Sequence, residues 1–145
     1  MSKYLFISIR EEYTNRIFEG TKKIELRKSK PNVIPGDKVI IYCTSPVKAI
    51  VGIAHVKGII IHKPNTMWKL HSKVLGIDRQ SYLDYYGDSE KAIGIVLSKP
   101  KKLVNNISLN LIKERVPSFT PPQTYKYFLN FTSPIRNNDF RLTPF

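Results

Sequence analysis

Between Gly20 and Lys30 the chain gathers five basic side chains, Lys22, Lys23, Arg27, Lys28 and Lys30, around one acid, Glu25. Neighbouring positive charge lowers the pKa of such a carboxylate, so its expected work is to orient lysine or arginine, or to accept from a ligand N–H, rather than to act as a general acid. Lys22 and Arg27 can meet phosphate or carbonyl oxygens, Arg27 in bidentate fashion, while Glu25 can accept from an exocyclic amine. A solvated strand face accounts for the same residues equally well.

Other candidates are more diffuse. Arg10 follows an apolar stretch and could face the same ligand, although a solvent-facing arginine at a helix start is the commoner outcome. Thr44 and Ser45, just before Pro46, place hydroxyls and backbone N–H groups at a strand end, where a turn can hold an anion or simply end the strand. Trp68, Lys69 and His71 cluster on one segment, and an exposed indole there could stack on a base. Core packing is the favoured reading of Trp68 and of Tyr82, Tyr85 and Tyr86. The stretch 121–125, Pro-Pro-Gln-Thr-Tyr, is a rigid turn whose side chains could reach a ligand. His55, His62 and His71 have no metal-pair spacing, and Cys43 has no second cysteine, so neither a metal site nor a disulfide is expected. No nucleophile elbow, Walker loop or dinucleotide-binding glycine fingerprint is present, and no cofactor is expected.

These residues need elements to hold them. Residues 3–9 read as a strand and 10–18 as a helix with Tyr13, Ile17 and Phe18 on its apolar side, stopped by Gly20. Residues 22–28 alternate, with Ile24 and Leu26 facing one way and Lys23, Glu25 and Arg27 the other. After the turn at Pro35-Gly36-Asp37, strands are expected over 38–43 and 49–62, with Gly52 and Gly58 marking bulges that curve the sheet. Helices are expected over 65–75, capped by Asn65 or Thr66 and carrying Met67, Leu70 and Val74 inward, and over 78–86. Residues 92–97 return to strand, extended by 101–104 past Pro100, and Ser108 can cap a last short helix. One helical turn is expected around Tyr125, Phe128 and Leu129, with residues 130–145 wrapping the surface. Strands outnumber helices without regular β-α-β alternation, which argues for α+β built on a small, mostly antiparallel barrel with inserted helices.

With 145 residues the chain suits one domain, 1–145, that needs no disulfide or metal to hold its core. No apolar run is long enough for a bilayer span, and the amino-terminal stretch meets Arg10-Glu11-Glu12 too early for a signal peptide. A cytoplasmic setting is the expectation. The formal net charge of +13, from 24 Lys+Arg against 11 Asp+Glu, favours a polyanionic partner over a basic surface kept for solubility.

The pattern Gly20-x-Lys22-x-x-Glu25-x-Arg27, set after a strand and helix, resembles the signature of the ASCH domain, a branch of the PUA-like superfamily. The turn at 35–37 and the run Ile41-Tyr42-Cys43-Thr44-Ser45-Pro46 support it. The resemblance implies a PUA-like barrel whose cleft, beside the strand after the first helix, receives RNA or a nucleobase-like ligand. Some similar proteins are N4-acetylcytidine amidohydrolases working with a lysine, a threonine and a glutamate, and others are ribonucleases. Lys22 matches that lysine, Glu25 stands at the threonine position, and residues 65–90 are where the glutamate would fall. Two readings follow. In the first the chain binds nucleic acid, RNA favoured, through Arg10, Lys22, Lys23, Glu25, Arg27, Thr44 and Ser45. In the second it is a hydrolase acting on a modified nucleoside or on RNA, with Lys22 as base or nucleophile, its pKa lowered by Lys23 and Arg27, and Glu25 shuttling a proton.

Overall fold

The computed structural model describes residues 3–128. Its elements run β1 (Tyr4–Ile9), α1 (Glu11–Glu19), β2 (Ile24–Arg27), β3 (Lys38–Cys43), β4 (Ala49–His62), α2 (Pro64–Leu75), α3 (Arg79–Tyr86), β5 (Ala92–Ser108), α4 (Leu109–Arg115) and β6 (Tyr125–Phe128). The six strands form one sheet in the order β2-β5-β4-β3-β1-β6. Only the β1–β3 pairing is parallel, and the others are antiparallel.

β1 carries no polar face: all six of its residues are buried. Tyr4 and Phe6 pack into one core with Ile40, Tyr42, Ile107 and Phe119. Leu5, Ile7 and Ile9 pack into another with Ile17, Ile41, Val51 and Ile95. A strand covered on both sides suits the near-continuous apolar run of its sequence. A third core gathers Ile24 and Leu26 of β2 with Met67, Leu75, Tyr82 and Tyr86 of the two middle helices.

β4 and β5 are long, and their shared ladder shifts register near Gly52, between Ile53 and His55, and again between Val56 and Gly58. Each extra residue bends the strand and strengthens its twist. The expected curvature at both glycines is therefore present, and it curls the sheet far enough to bring its two ends together. Pro100 does not break β5, which runs unbroken through residues expected as two pieces.

The caps follow local chemistry. Gly20 closes α1 with φ 91°, and its N–H donates to the carbonyls of Arg16 and Ile17. Asp78 accepts from the Ser81 N–H, and Ser108 accepts from the Leu111 N–H. α2 departs from expectation. It starts one residue earlier, at Pro64, with Lys63 at the cap and no side-chain bond, because proline at the first position needs no N–H partner. Met67 and Leu75 are its buried residues, whereas Leu70 is 59% exposed. The turn expected around Tyr125 and Phe128 is instead β6, paired with β1. Leu129 and the stretch 130–145 lie outside the described residues. No described helix is long and apolar enough to cross a membrane.

Candidate nucleic-acid interface

The ends of the sheet meet at a cavity of about 570 Å³. β2 contributes Glu25 and Arg27, β1 contributes Ser8 and Ile9, and the approach to β6 contributes Gln123 and Thr124. Arg10 and Tyr13, at the start of α1, form one side, while Ser81, Asp84 and Tyr85 of α3 form the other.

Its floor is a charged triad, two members buried and the third, Arg27, partly so. Lys22 is 3% exposed and Glu25 5%. The Lys22 ammonium lies 3.4 Å from Glu25 Oε1 and donates to the Leu75 carbonyl at 2.7 Å. Arg27 bonds the other Glu25 oxygen through Nη1. Burying a charge is costly unless it is paired and hydrogen-bonded, and here each of the three is both.

Arg27 is also the clasp between the sheet's ends. Its Nη1 donates to the Leu26 carbonyl, its Nη2 to the Ser8 carbonyl at 2.9 Å, and its Nε to Thr124 Oγ1 at 3.1 Å. Four of the five guanidinium donors are thereby engaged, leaving one N–H for a guest. The bidentate grip on phosphate expected of Arg27 is replaced by a grip on the protein itself. Ser8 closes the same seam, its hydroxyl donating to the Pro122 carbonyl at 2.6 Å and its N–H to the Thr124 carbonyl at 3.0 Å.

Lys22 owes its position to a break in the strand. The ladder begins only at Ile24, while Lys22 forms an isolated bridge with Leu75 and donates its own N–H to the Arg16 carbonyl. Alternation therefore does not extend through 22–23: Lys22 turns inward beside Glu25, and Lys23 is exposed and lines a different hollow. Gly76 makes the arrangement possible. With φ 60° it ends α2, and a Cβ there would collide with the Cβ and Cγ of Lys22.

The triad sets its own protonation. Burial lowers the Lys22 pKa below the ordinary lysine range, with smaller contributions from Arg27 and Arg16, against the raising effect of Glu25. The lowering was expected, but burial is its main cause, and Lys23 takes no part. Burial alone would raise Glu25; the charges of Arg27 and Lys22 outweigh it and hold the carboxyl below the usual range. Glu25 is thus an acceptor that orients two cations.

Aromatic faces complete the walls. The Tyr13 ring lies 5.2 Å from the Lys22 ammonium and 5.5 Å from the Arg16 guanidinium. Tyr82 and Tyr86 are buried as packing predicts, but Tyr85 stands in the lining with the Lys28 ammonium 4.8 Å over its ring. Trp68 packs against Tyr82, with ring centroids 4.9 Å apart.

Of the residues singled out in the sequence, Lys22, Glu25, Arg27 and Arg10 come together here, with Gln123 and Thr124 of the 121–125 turn. Arg10 sits at the rim in an exposed ion pair with Glu12 at 3.0 Å. Thr44 and Ser45 are not in the lining, although the Thr44 N–H donates to the Ile9 carbonyl nearby. Tyr13, Ser8 and Asp84 carried no readable signal. Tyr13 sits at helical core spacing, and Asp84 is the acid that residues 65–90 bring to the cavity. Among the described residues no cluster of histidine, cysteine, aspartate and glutamate could hold a metal ion.

Comparison with known proteins agrees with this architecture. An ASCH domain-containing ribonuclease of Zymomonas mobilis is 31% identical over 122 residues, spanning 84% of this chain and 82% of that protein. The crystal structure of ASCH from Zymomonas mobilis superposes with a TM-score of 0.83 at 28% identity, covering 90% of each chain. The N-terminal domain of McrB from Staphylothermus marinus shares the fold at a TM-score of 0.53 and 13% identity, covering 79% of this chain and 81% of that one. The model of the ASCH domain matches residues 7–105, which include the whole of the Lys22–Glu25–Arg27 triad, so this chain belongs to the ASCH domain family.

Proposed function

We propose that this protein binds RNA, with one nucleobase or nucleotide of a single-stranded segment entering the cavity at the seam of the sheet. The observation that carries the reading is the floor of that cavity: a buried lysine and a partly buried arginine fixed by one buried carboxylate, each cation keeping a donor for a guest. A cavity of about 570 Å³ falls within the range of small-ligand pockets, and Tyr13 and Tyr85 offer aromatic faces of the kind that unstacked RNA bases use. The net charge of +13 supplies the long-range attraction.

A second reading, cleavage of the bound RNA, is favoured by the relative's being a ribonuclease and by the lowered pKa of Lys22. A lysine desolvated in this way supplies a neutral amine nearer to neutral pH than a free one does. In its neutral form Lys22 would take the proton of a 2′-hydroxyl as that oxygen bonds to the neighbouring phosphorus; the bond from phosphorus to the next nucleotide's 5′-oxygen breaks, that oxygen takes a proton from water, and a 2′,3′-cyclic phosphate and a free 5′-hydroxyl result. Hydrolysis of N4-acetylcytidine uses the same base on a different electrophile and belongs to the same test.

Fluorescence anisotropy with a labelled single-stranded RNA tests the binding. The expected result is an affinity that falls steeply with salt and drops at least about tenfold in Lys22→Met. A variant that binds as the parent does would overturn the reading. Electrophoresis of the incubated RNA, and chromatography of incubated N4-acetylcytidine, separate binding from turnover.

A further inference from the structure

A second hollow, of about 380 Å³, lies behind Lys22, between the end of α1 and the β4–β5 ladder. Lys22 lines both hollows, so the two adjoin at that residue. Three more lysines, Lys23, Lys57 and Lys99, surround the second, and no acid does. All three are exposed, and among the described residues no ion pair neutralises any of them.

Each of the three stands where regular backbone is interrupted. Lys57 is the extra residue between the pairs Val56–Leu97 and Gly58–Val96. Lys99 falls in the register shift between the pairs His55–Ser98 and Ile53–Lys101, and its φ of 51° is one that side-chain-bearing residues rarely adopt. Lys23 occupies the gap before β2, with its N–H on the Val74 carbonyl and its own carbonyl accepting from Leu97. Bulges re-aim side chains, and backbone held in a sparsely populated region collects at functional sites. Nearby, burial first and then the charges of Lys99 and Lys38 hold the His55 pKa below the ordinary value.

We propose that this hollow holds a backbone phosphate of the nucleotide next to the one whose base enters the main cavity. Lysine grips phosphate as a mobile point charge, and the Ser98 hydroxyl adds a donor at the same place. The inference rests on the RNA-binding reading and narrows it: the ligand is a polynucleotide at least two residues long, not a free nucleoside.

The test compares Lys23→Gln/Lys57→Gln/Lys99→Gln with Lys73→Gln/Lys91→Gln/Lys113→Gln, which removes equal charge from exposed positions lining neither hollow. Thermal melts check that both triple variants fold. Anisotropy titrations of a short single-stranded RNA across a salt series then give the slope of log affinity against log salt. The expected result is that the first variant loses about tenfold or more in affinity and about 0.7 of slope per phosphate contact removed, while the second keeps the parent slope. Equal slopes in parent and first variant, or equal losses in both variants, would overturn the proposal. Lys22→Met, titrated alongside, separates this failure from that of the main reading, since parent-like RNA binding by that variant removes the cavity itself from the account.

Discussion

Glu25 is the residue on which most depends, because among the described residues it is the one acid paired with both the buried Lys22 and the partly buried Arg27. Glu25→Gln leaves Lys22 and Arg27 uncompensated and is expected to cost about 3–5 kcal/mol, read as a lower urea midpoint at unchanged slope. Its pH dependence has a definite sign. The folded pKa lies below 4.5, so the stability it confers is full above that value and is lost as pH falls through the folded pKa. The Gln variant should therefore show a flatter acid limb. Lys22 acts on the opposite side: its pKa is lowered below 10.5, so between the folded value and 10.5 the unfolded chain binds more protons and stability rises with pH. Lys22→Met should abolish that alkaline rise, measured as unfolding free energy at a series of pH values. The sequence made the triad legible as a charge pattern but not as a geometry. One acid among five cations announced an orienting carboxylate, yet nothing local distinguished Lys22, which turns inward, from Lys23, which does not. That difference is made by Leu75 and Gly76, more than fifty positions away.

At the scale of elements, the helix ends and the strand bulges set the positions of the working groups. Gly76→Ala places a Cβ against the Lys22 stem at a φ of 60°, and a strain of about 1–3 kcal/mol is expected, seen as a lower Tm together with weakened RNA binding. Ser108→Ala, which loses only the bond to the Leu111 N–H, should cost about 1 kcal/mol and leave RNA affinity unchanged. Strands 38–43 and 49–62 were legible to the residue because β-branched runs met clear breakers at both ends. β6 was not, because Tyr-Lys-Tyr-Phe is short, and only the free edge of β1 decides that it pairs rather than coils. α2 misled for a related reason: three apolar residues at helical spacing suggested the inner face, but packing against β2 selected Met67 and Leu75 and left Leu70 outside.

For the whole molecule, the curl of the sheet makes a site out of elements distant in sequence. Arg27 and Thr124 are 97 positions apart yet share a hydrogen bond. No window of sequence could have shown that the Gln123-Thr124 turn would seat itself across from β2. The seam also has a meaning for self-association. Terminal strands ordinarily offer a row of unpaired backbone groups on which a second chain can build, and proteins must blunt them with charge or proline. Here both outermost strands turn toward one another, and a guanidinium spans the gap, so the molecule keeps its stickiest borders indoors. Unfastening that span with Arg27→Ala should let the borders part, and light scattering at rising protein concentration should then register a larger average mass for the variant than for the parent at the same concentration.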